Sequence, residues 1–443
     1  MAADVIVRGG LVVLPEGAAR RDIVILDGKI AAIEEEAPPS GRRTTPFREI
    51  DARGLTVFPG VVDAHVHFND PGRSDWEGID TGSAALASGG GTCFIDMPLN
   101  SSPPTLDGPS FDAKRERCEI AARTDFALYG GLTPKNLDRM DELAERGVAG
   151  FKAFMCPSGI ADFAWADDET LYRGMEIAAR LGLPVLLHAE SAAITGALTE
   201  RARQAGRRDV RAFLESRPVR AELEAVGRAL LYAEETRCRV HLVHLSSARA
   251  VELVRRAAAN GFADATCETC PHYLLLTERD MERMSARAKC APPLRSESER
   301  TELLARLISG DIDTVGSDHS PAPLELKEHD DFFDAWGGIA GVQTTLRALL
   351  TLDVPLERIA QVTATSPARR FRLPGKGSIE VGNDGDLAVV DINDSSELTR
   401  EELRDRHRLS PYVGRTLRGR IRHVLLRGEE IGEQTRGRLI TPR

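Results

Sequence analysis

Two histidines one residue apart, His65 and His67 in Asp63-Ala64-His65-Val66-His67, close an apolar run that begins at Leu55. In an extended strand, side chains two positions apart project from the same face. Both imidazoles can therefore reach one metal ion from the strand's C-terminal end. Four later apolar runs each carry one further ligand-type residue. Lys152 lies in Gly147-Val-Ala-Gly-Phe-Lys-Ala-Phe-Met155 and His188 in Pro184-Val-Leu-Leu-His-Ala-Glu190. His244 lies in His241-Leu-Val-His-Leu-Ser246, and Asp318 in Thr314-Val-Gly-Ser-Asp-His-Ser-Pro321. Taken singly, a histidine at a strand end is an ordinary polar residue, and an Asp before His-Ser-Pro is a helix cap or turn residue. Together, these residues at the ends of one periodic series point to a metal centre.

Lys152 is the unusual member, because its neighbours are Phe151, Phe154 and Met155. A buried ammonium is costly and repels a nearby cation. A neutral amine can instead take up carbon dioxide, giving an N-carboxylate whose two oxygens bridge two divalent ions. The plainer alternatives are a snorkelling lysine or an ion pair with Asp or Glu.

The elements that must position these residues alternate. Candidate strands are 55–68, 90–97, 126–131, 148–155, 184–189, 239–245, 263–270 and 313–317, with helical composition clearest at 173–181, 222–235, 248–259 and 299–308. Eight strands, each followed by a helical stretch, is the count of a (β/α)8 TIM barrel, although doubly wound sheets share the alternation. In a barrel every strand end gathers on one face, so ligands more than 250 positions apart can meet. The charged stretch 191–220 is longer than a normal connection and reads as a helical excursion near the site mouth. Both ends of the chain read as short strands with turn signals, among them Asp27-Gly28. The expected organisation is a small β-sandwich domain from residues 1–54 plus 376–443, with a hydrolase barrel of 55–375 inserted.

The bulk composition excludes more than it identifies. At 443 residues with 42% hydrophobic and 28% charged content, the chain is an ordinary globular one. A net charge of -10 argues against nucleic-acid or anionic-membrane partners. No run reaches the roughly 18 apolar residues of a membrane span, and no secretory leader is visible at the N-terminus. Seven scattered cysteines suit a reducing cytoplasm. Cys267-Glu-Thr-Cys270 has redox or zinc spacing but no second pair, and reads as structural. Only seven of the 58 basic residues are lysines, which makes Lys152 stand out further.

The ligand-type set resembles the binuclear metal set of the amidohydrolase superfamily, in the branch of cyclic amidases that holds dihydroorotases, hydantoinases (dihydropyrimidinases) and allantoinases. Longer strings are similar to allantoinases in particular: Pro71-Gly-Arg-Ser-Asp-Trp-Glu-Gly78, Asp96-Met-Pro-Leu-Asn100, Cys267-Glu-Thr-Cys-Pro-His-Tyr273, Gly316-Ser-Asp-His-Ser-Pro321, Ala335-Trp-Gly-Gly-Ile-Ala-Gly-Val-Gln343 and Ser410-Pro-Tyr-Val-Gly-Arg-Thr416. The resemblance covers nearly the whole chain. It implies that His65, His67 and Asp318 bind one ion, that His188 and His244 bind the other, and that carboxylated Lys152 bridges them. Such donors suit zinc, and also cobalt, iron or manganese. Two divalent ions, one carboxylate, one carbamate and a bridging hydroxide leave about one net positive charge, which favours hydroxide at neutral pH. The implied reaction is attack by that hydroxide on the amide carbonyl of a cyclic ureide, with Asp318 carrying the proton to the leaving nitrogen.

Departures from sibling patterns narrow the ring. Dihydroorotases carry an Arg two residues after the second histidine to hold a carboxylate, and this chain has Asn69. Hydantoinases carry a Tyr five residues after the metal lysine, and this chain has Pro157. The expected substrate is then allantoin, a neutral ring opened to allantoate in purine catabolism. Asn100, Ala291, Gly337 and Gly338 are candidate substrate contacts, as is Arg73, whose alternative is an ion pair with Asp75 or Glu77. His272 and His319 are expected to orient ligands. A broader hydantoinase-like amidase and a non-catalytic scaffold of the same fold are the competing readings, though scaffold relatives lose ligands that are intact here. By analogy the protein is a homotetramer.

Overall fold

The apolar run 55–68 forms two strands, not one. Thr56–Pro59 pairs with strands from the chain ends, and Val61–Val66 opens the barrel. They part at Gly60, where a Cβ would lie 2.3 Å from the Thr92 hydroxyl oxygen, so the crossing tolerates no side chain. The computed structural model describes residues 4–37 and 48–443; residues 1–3 and 38–47, part of the N-terminal stretch read as strands and turns, lie outside the described residues.

The barrel strands are Val61–Val66, Gly91–Asp96, Asp125–Leu128 continued by Gly130–Gly131, Phe151–Phe154, Val185–His188, Val240–Leu242, Ala265–Thr269 and Thr314–Val315. Consecutive strands pair in parallel. The ring closes through a parallel bridge between Val66 and His319, with the His67 N–H donating to the His319 carbonyl at 2.8 Å. That closure decides for a TIM barrel over a doubly wound sheet. The barrel strands are buried and mostly apolar, as a sheet covered on both faces requires, with polar exceptions that include Asp63, His65, Asp96, Asp125, Lys152, His188, His241 and Glu268.

The helices follow local signals. Asp168–Leu181 starts where the Asp167 carboxylate accepts from the Thr170 N–H and stops at left-handed Gly182. Ala248–Ala259 is capped by Ser247, and Glu297–Ser309 by Ser296 with Gly310 behind it. The stretch 191–220 is helical as expected, in Ala192–Gln204 and Val210–Ser216. No helix among the described residues is long and apolar enough to cross a membrane.

An eight-stranded sheet drawn from both chain ends forms the β-sandwich domain. Asp27 and Gly28, both at positive φ (49° and 78°), make the tight hairpin between Gly17–Leu26 and Lys29–Glu34. Val5, Val12, Ile23 and Ile25 pack with Leu387, Val389 and Leu425 in a core separate from the barrel's. Where the two parts meet, the buried Lys376 ammonium touches Asp125 (2.6 Å), Asp386 (2.7 Å) and Asp384 (2.8 Å).

Candidate metal centre

All six ligand-type residues line one cavity of about 340 Å³ at the C-terminal ends of the barrel strands. His65 Nε2 lies 3.2 Å and His67 Nε2 3.4 Å from the same Asp318 oxygen. On the far side, His188 Nδ1 faces His244 Nε2 at 3.1 Å. His65 links the halves, its ring centroid 5.4 Å from that of His244. Tetrahedral ligands about 2.05 Å from a zinc ion stand about 3.3 Å apart. The two groups of donors are thus already spaced as neighbours around a cation.

The electrostatics favour the same occupant. Burial pushes the imidazoles of His67, His188 and His244 down in pKa, leaving neutral rings with lone pairs to donate. Burial alone would raise the Asp318 carboxyl, but His65, His67 and His244 around it hold it well below the usual range. Lys152 is fully buried, its Nζ has no hydrogen-bond partner, and burial pushes its pKa down to about 8. The amine lies 5.0 Å from the centroid of the Phe154 ring. Neither plainer reading of Lys152 survives: the side chain neither reaches solvent nor pairs with a carboxylate. The orphaned Nζ, together with unpartnered His65 Nε2 and His244 Nδ1, fits a site that holds two cations and a carboxylated lysine.

His244 and Asp318 both sit at positive φ (41° and 47°) just beyond their strands. For residues other than glycine such backbone conformations cost about 1–3 kcal/mol each and persist where a functional site over-determines them.

Two carboxylates that orient the histidines were not expected. Glu268 Oε1 sits 2.6 Å from His65 Nδ1, and Glu190 Oε2 sits 2.9 Å from His188 Nε2. Arg217 fixes Glu190 in turn, at 2.7 Å. Each carboxylate selects the tautomer that leaves the other ring nitrogen free for a metal. Both were detectable: Glu190 lies two residues after His188, and Glu268 closes the seventh strand as the ligands close theirs. The flanking Cys267 and Cys270 obscured Glu268; they are free and buried, like the other five cysteines.

Of the candidate substrate contacts, Asn100, Ala291, Gly337 and Gly338 line the cavity. Arg73 does not. Its guanidinium donates to the Asn100 and Ser101 carbonyls (2.9 and 3.3 Å) and approaches Asp162 at 3.7 Å, not Asp75 or Glu77. It therefore shapes the loop that carries Asn100. The His319 ring accepts from the Gly341 and Val342 N–H groups, so it supports His67 through its main chain and not its imidazole. His272 is buried with both ring nitrogens unpartnered. Pro157 lines the cavity, whereas Asn69 turns away to the Pro321 carbonyl.

The chain is similar to known proteins over its whole length. Residues 56–431 match the family described as the amidohydrolase family. The chain is 52% identical to an allantoinase of Solibacter usitatus, covering 100% of this chain and 97% of the relative. It is 51% identical to an allantoinase of Rubrobacter xylanophilus, covering 100% and 98%. Among solved structures, the L-hydantoinase (dihydropyrimidinase) from Arthrobacter aurescens superposes with a TM-score of 0.94 at 35% identity, covering 100% of both chains.

Proposed function

Because the chain belongs to the amidohydrolase family and stands among its allantoinases, we propose that this cavity is a binuclear metal centre that opens the ring of allantoin to give allantoate. The chain is a metal-dependent cyclic amide hydrolase. His65, His67 and Asp318 would hold one divalent ion and His188 and His244 the other, with Lys152 as N-carboxylate shared between them. This donor set suits zinc, and also cobalt, iron or manganese. Two such ions acidify a water and polarise the amide carbonyl. Asp318 takes the proton from the attacking water and returns it to the ring nitrogen as the amide bond breaks. Asn100 offers a side-chain amide, and Ala291, Gly337 and Gly338 offer main-chain groups, to a neutral polar ring.

The observation that carries this reading is the spacing of the donors together with the unpartnered Lys152 amine. The substrate assignment rests on the allantoinase relatives and on two departures, Asn69 in place of a carboxylate-holding Arg and Pro157 in place of a Tyr donor. The close superposition on the Arthrobacter enzyme favours one other substrate range, that of a hydantoinase. Hydrolysis of allantoin, hydantoin and dihydrouracil by protein reconstituted with divalent metal and bicarbonate separates the two. A preference for allantoin of about tenfold or more in kcat/KM is expected; equal rates would return the site to the hydantoinase reading. Chelation of the metal is expected to abolish turnover.

Glu268→Gln should weaken metal retention by about 10–100-fold, because an amide no longer fixes the His65 tautomer. Competition with a chelator measures this, and unchanged retention would remove Glu268 from the centre. The same overall reading places the protein in the cytoplasm, where seven free thiols stay reduced, and makes it a homotetramer, which sedimentation would measure.

A further inference from the structure

Five of the seven lysines in this arginine-rich chain are buried: Lys114, Lys152, Lys289, Lys327 and Lys376. Lys114 and Lys376 meet carboxylates, and Lys152 lies in the centre. Lys289 and Lys327 have no carboxylate partner among the described residues, and each spends its ammonium on main-chain carbonyls. Lys289 Nζ donates to Phe332 (2.6 Å), Phe333 (3.1 Å) and Ala335 (2.5 Å). Lys327 Nζ donates to Gly338 (2.8 Å), Ala286 (3.3 Å) and Trp336 (3.4 Å).

An ammonium has three donors, and both are saturated. Five of these six bonds end on the segment 332–338. That segment has no helix or strand of its own, yet Ala335, Trp336, Gly337 and Gly338 form one wall of the cavity. Its return contact, Gly338 N–H to the Lys289 carbonyl at 2.7 Å, ties it to the loop that carries Ala291. A planar guanidinium cannot converge on three carbonyls from one point, which is a reason for lysine here in a chain that otherwise uses arginine.

We propose that Lys289, at the edge of the cavity lining, and Lys327, behind it, are positioning residues that pin the 332–338 segment, so that its main chain meets the substrate ring already ordered. They govern how tightly the ring is held and leave the proton transfer to Asp318. Insofar as the ring is a cyclic ureide, this rests on the function proposed above.

The test compares wild-type, Lys289→Met, Lys327→Met and Lys289→Arg as metal-loaded full-length protein. Loosening the wall should raise KM for allantoin about tenfold while kcat falls less than about threefold, the signature of lost binding rather than lost chemistry. Metal content should stay at the wild-type level. Hydrogen exchange should show the amides of Phe332, Asp334, Trp336 and Gly338 losing protection, since each is bonded in the pinned segment. Arginine at position 289 should not restore KM. Unchanged KM and unchanged protection in both methionine variants would overturn the proposal, as would a fall in kcat that tracks lost metal. If Lys289→Met does not fold, Lys327→Met decides alone. The exchange readout needs no turnover: variants that lose protection while wild-type ignores allantoin would sink the substrate reading and keep the clamp.

Discussion

Asp318→Asn is expected to lower kcat/KM for allantoin by about 10³-fold or more, the largest effect of any single conservative change in this protein. The carboxylate has two tasks. One oxygen is shared between His65 and His67 at 3.2 and 3.4 Å, and the same group is the proton carrier in the proposed reaction. An amide keeps the shape and loses the negative charge that three surrounding imidazoles stabilise, and with it the capacity to accept a proton. Two readouts separate the tasks. Metal content by atomic emission reports the ligand role, and rate per bound metal reports the proton role. A variant with full metal and a rate within about tenfold of wild type would remove Asp318 from proton transfer.

The largest stability effect is expected at Lys376, remote from the cavity. Its ammonium pairs with Asp125, Asp384 and Asp386, with Arg427 also on Asp125 and Lys29 and Arg438 also on Asp384. Burial would push the lysine pKa down, but the three carboxylates outweigh it and hold the amine charged. Lys376→Met leaves three buried carboxylates facing one another at the junction of barrel and sandwich. Breaking a buried ion network by removing one partner costs about 3–5 kcal/mol. Calorimetry should show a much lower Tm, while KM for allantoin at low temperature stays at the wild-type value. An unchanged Tm would mean that Arg427, Arg438 and Lys29 already balance the charge.

Much of the proposed centre was legible in the residue order because metal ligation demands particular side chains, and a parallel barrel places all strand ends on one face. His65, His67, Lys152, His188, His244 and Asp318 could be read from type and offset alone. The eight apolar runs with helical spacers gave the βα alternation, which ring closure between Val66 and His319 resolved as a barrel, and turn chemistry gave the Asp27-Gly28 hairpin. Less legible were groups that act by contact. Glu268 and Glu190 are ordinary acidic residues until their distances to His65 and His188 are known. The division of 55–68 into two strands depends on Thr92 crowding Gly60, a contact with the next strand that no local pattern records.

The order of residues by itself determined the alternation of strand and helix and the presence of six ligand-type residues at strand ends, because backbone periodicity and side-chain chemistry are local properties. The class of reaction came from resemblance to the cyclic amidases. Only the folded chain decided what each donor leans on. Arg73 holds a loop, Lys289 and Lys327 pin the wall of the cavity, and Lys376 joins barrel to sandwich. Long flexible side chains can reach several partners from one position. Which partner wins depends on where distant segments come to rest, and that is settled by packing of the whole molecule.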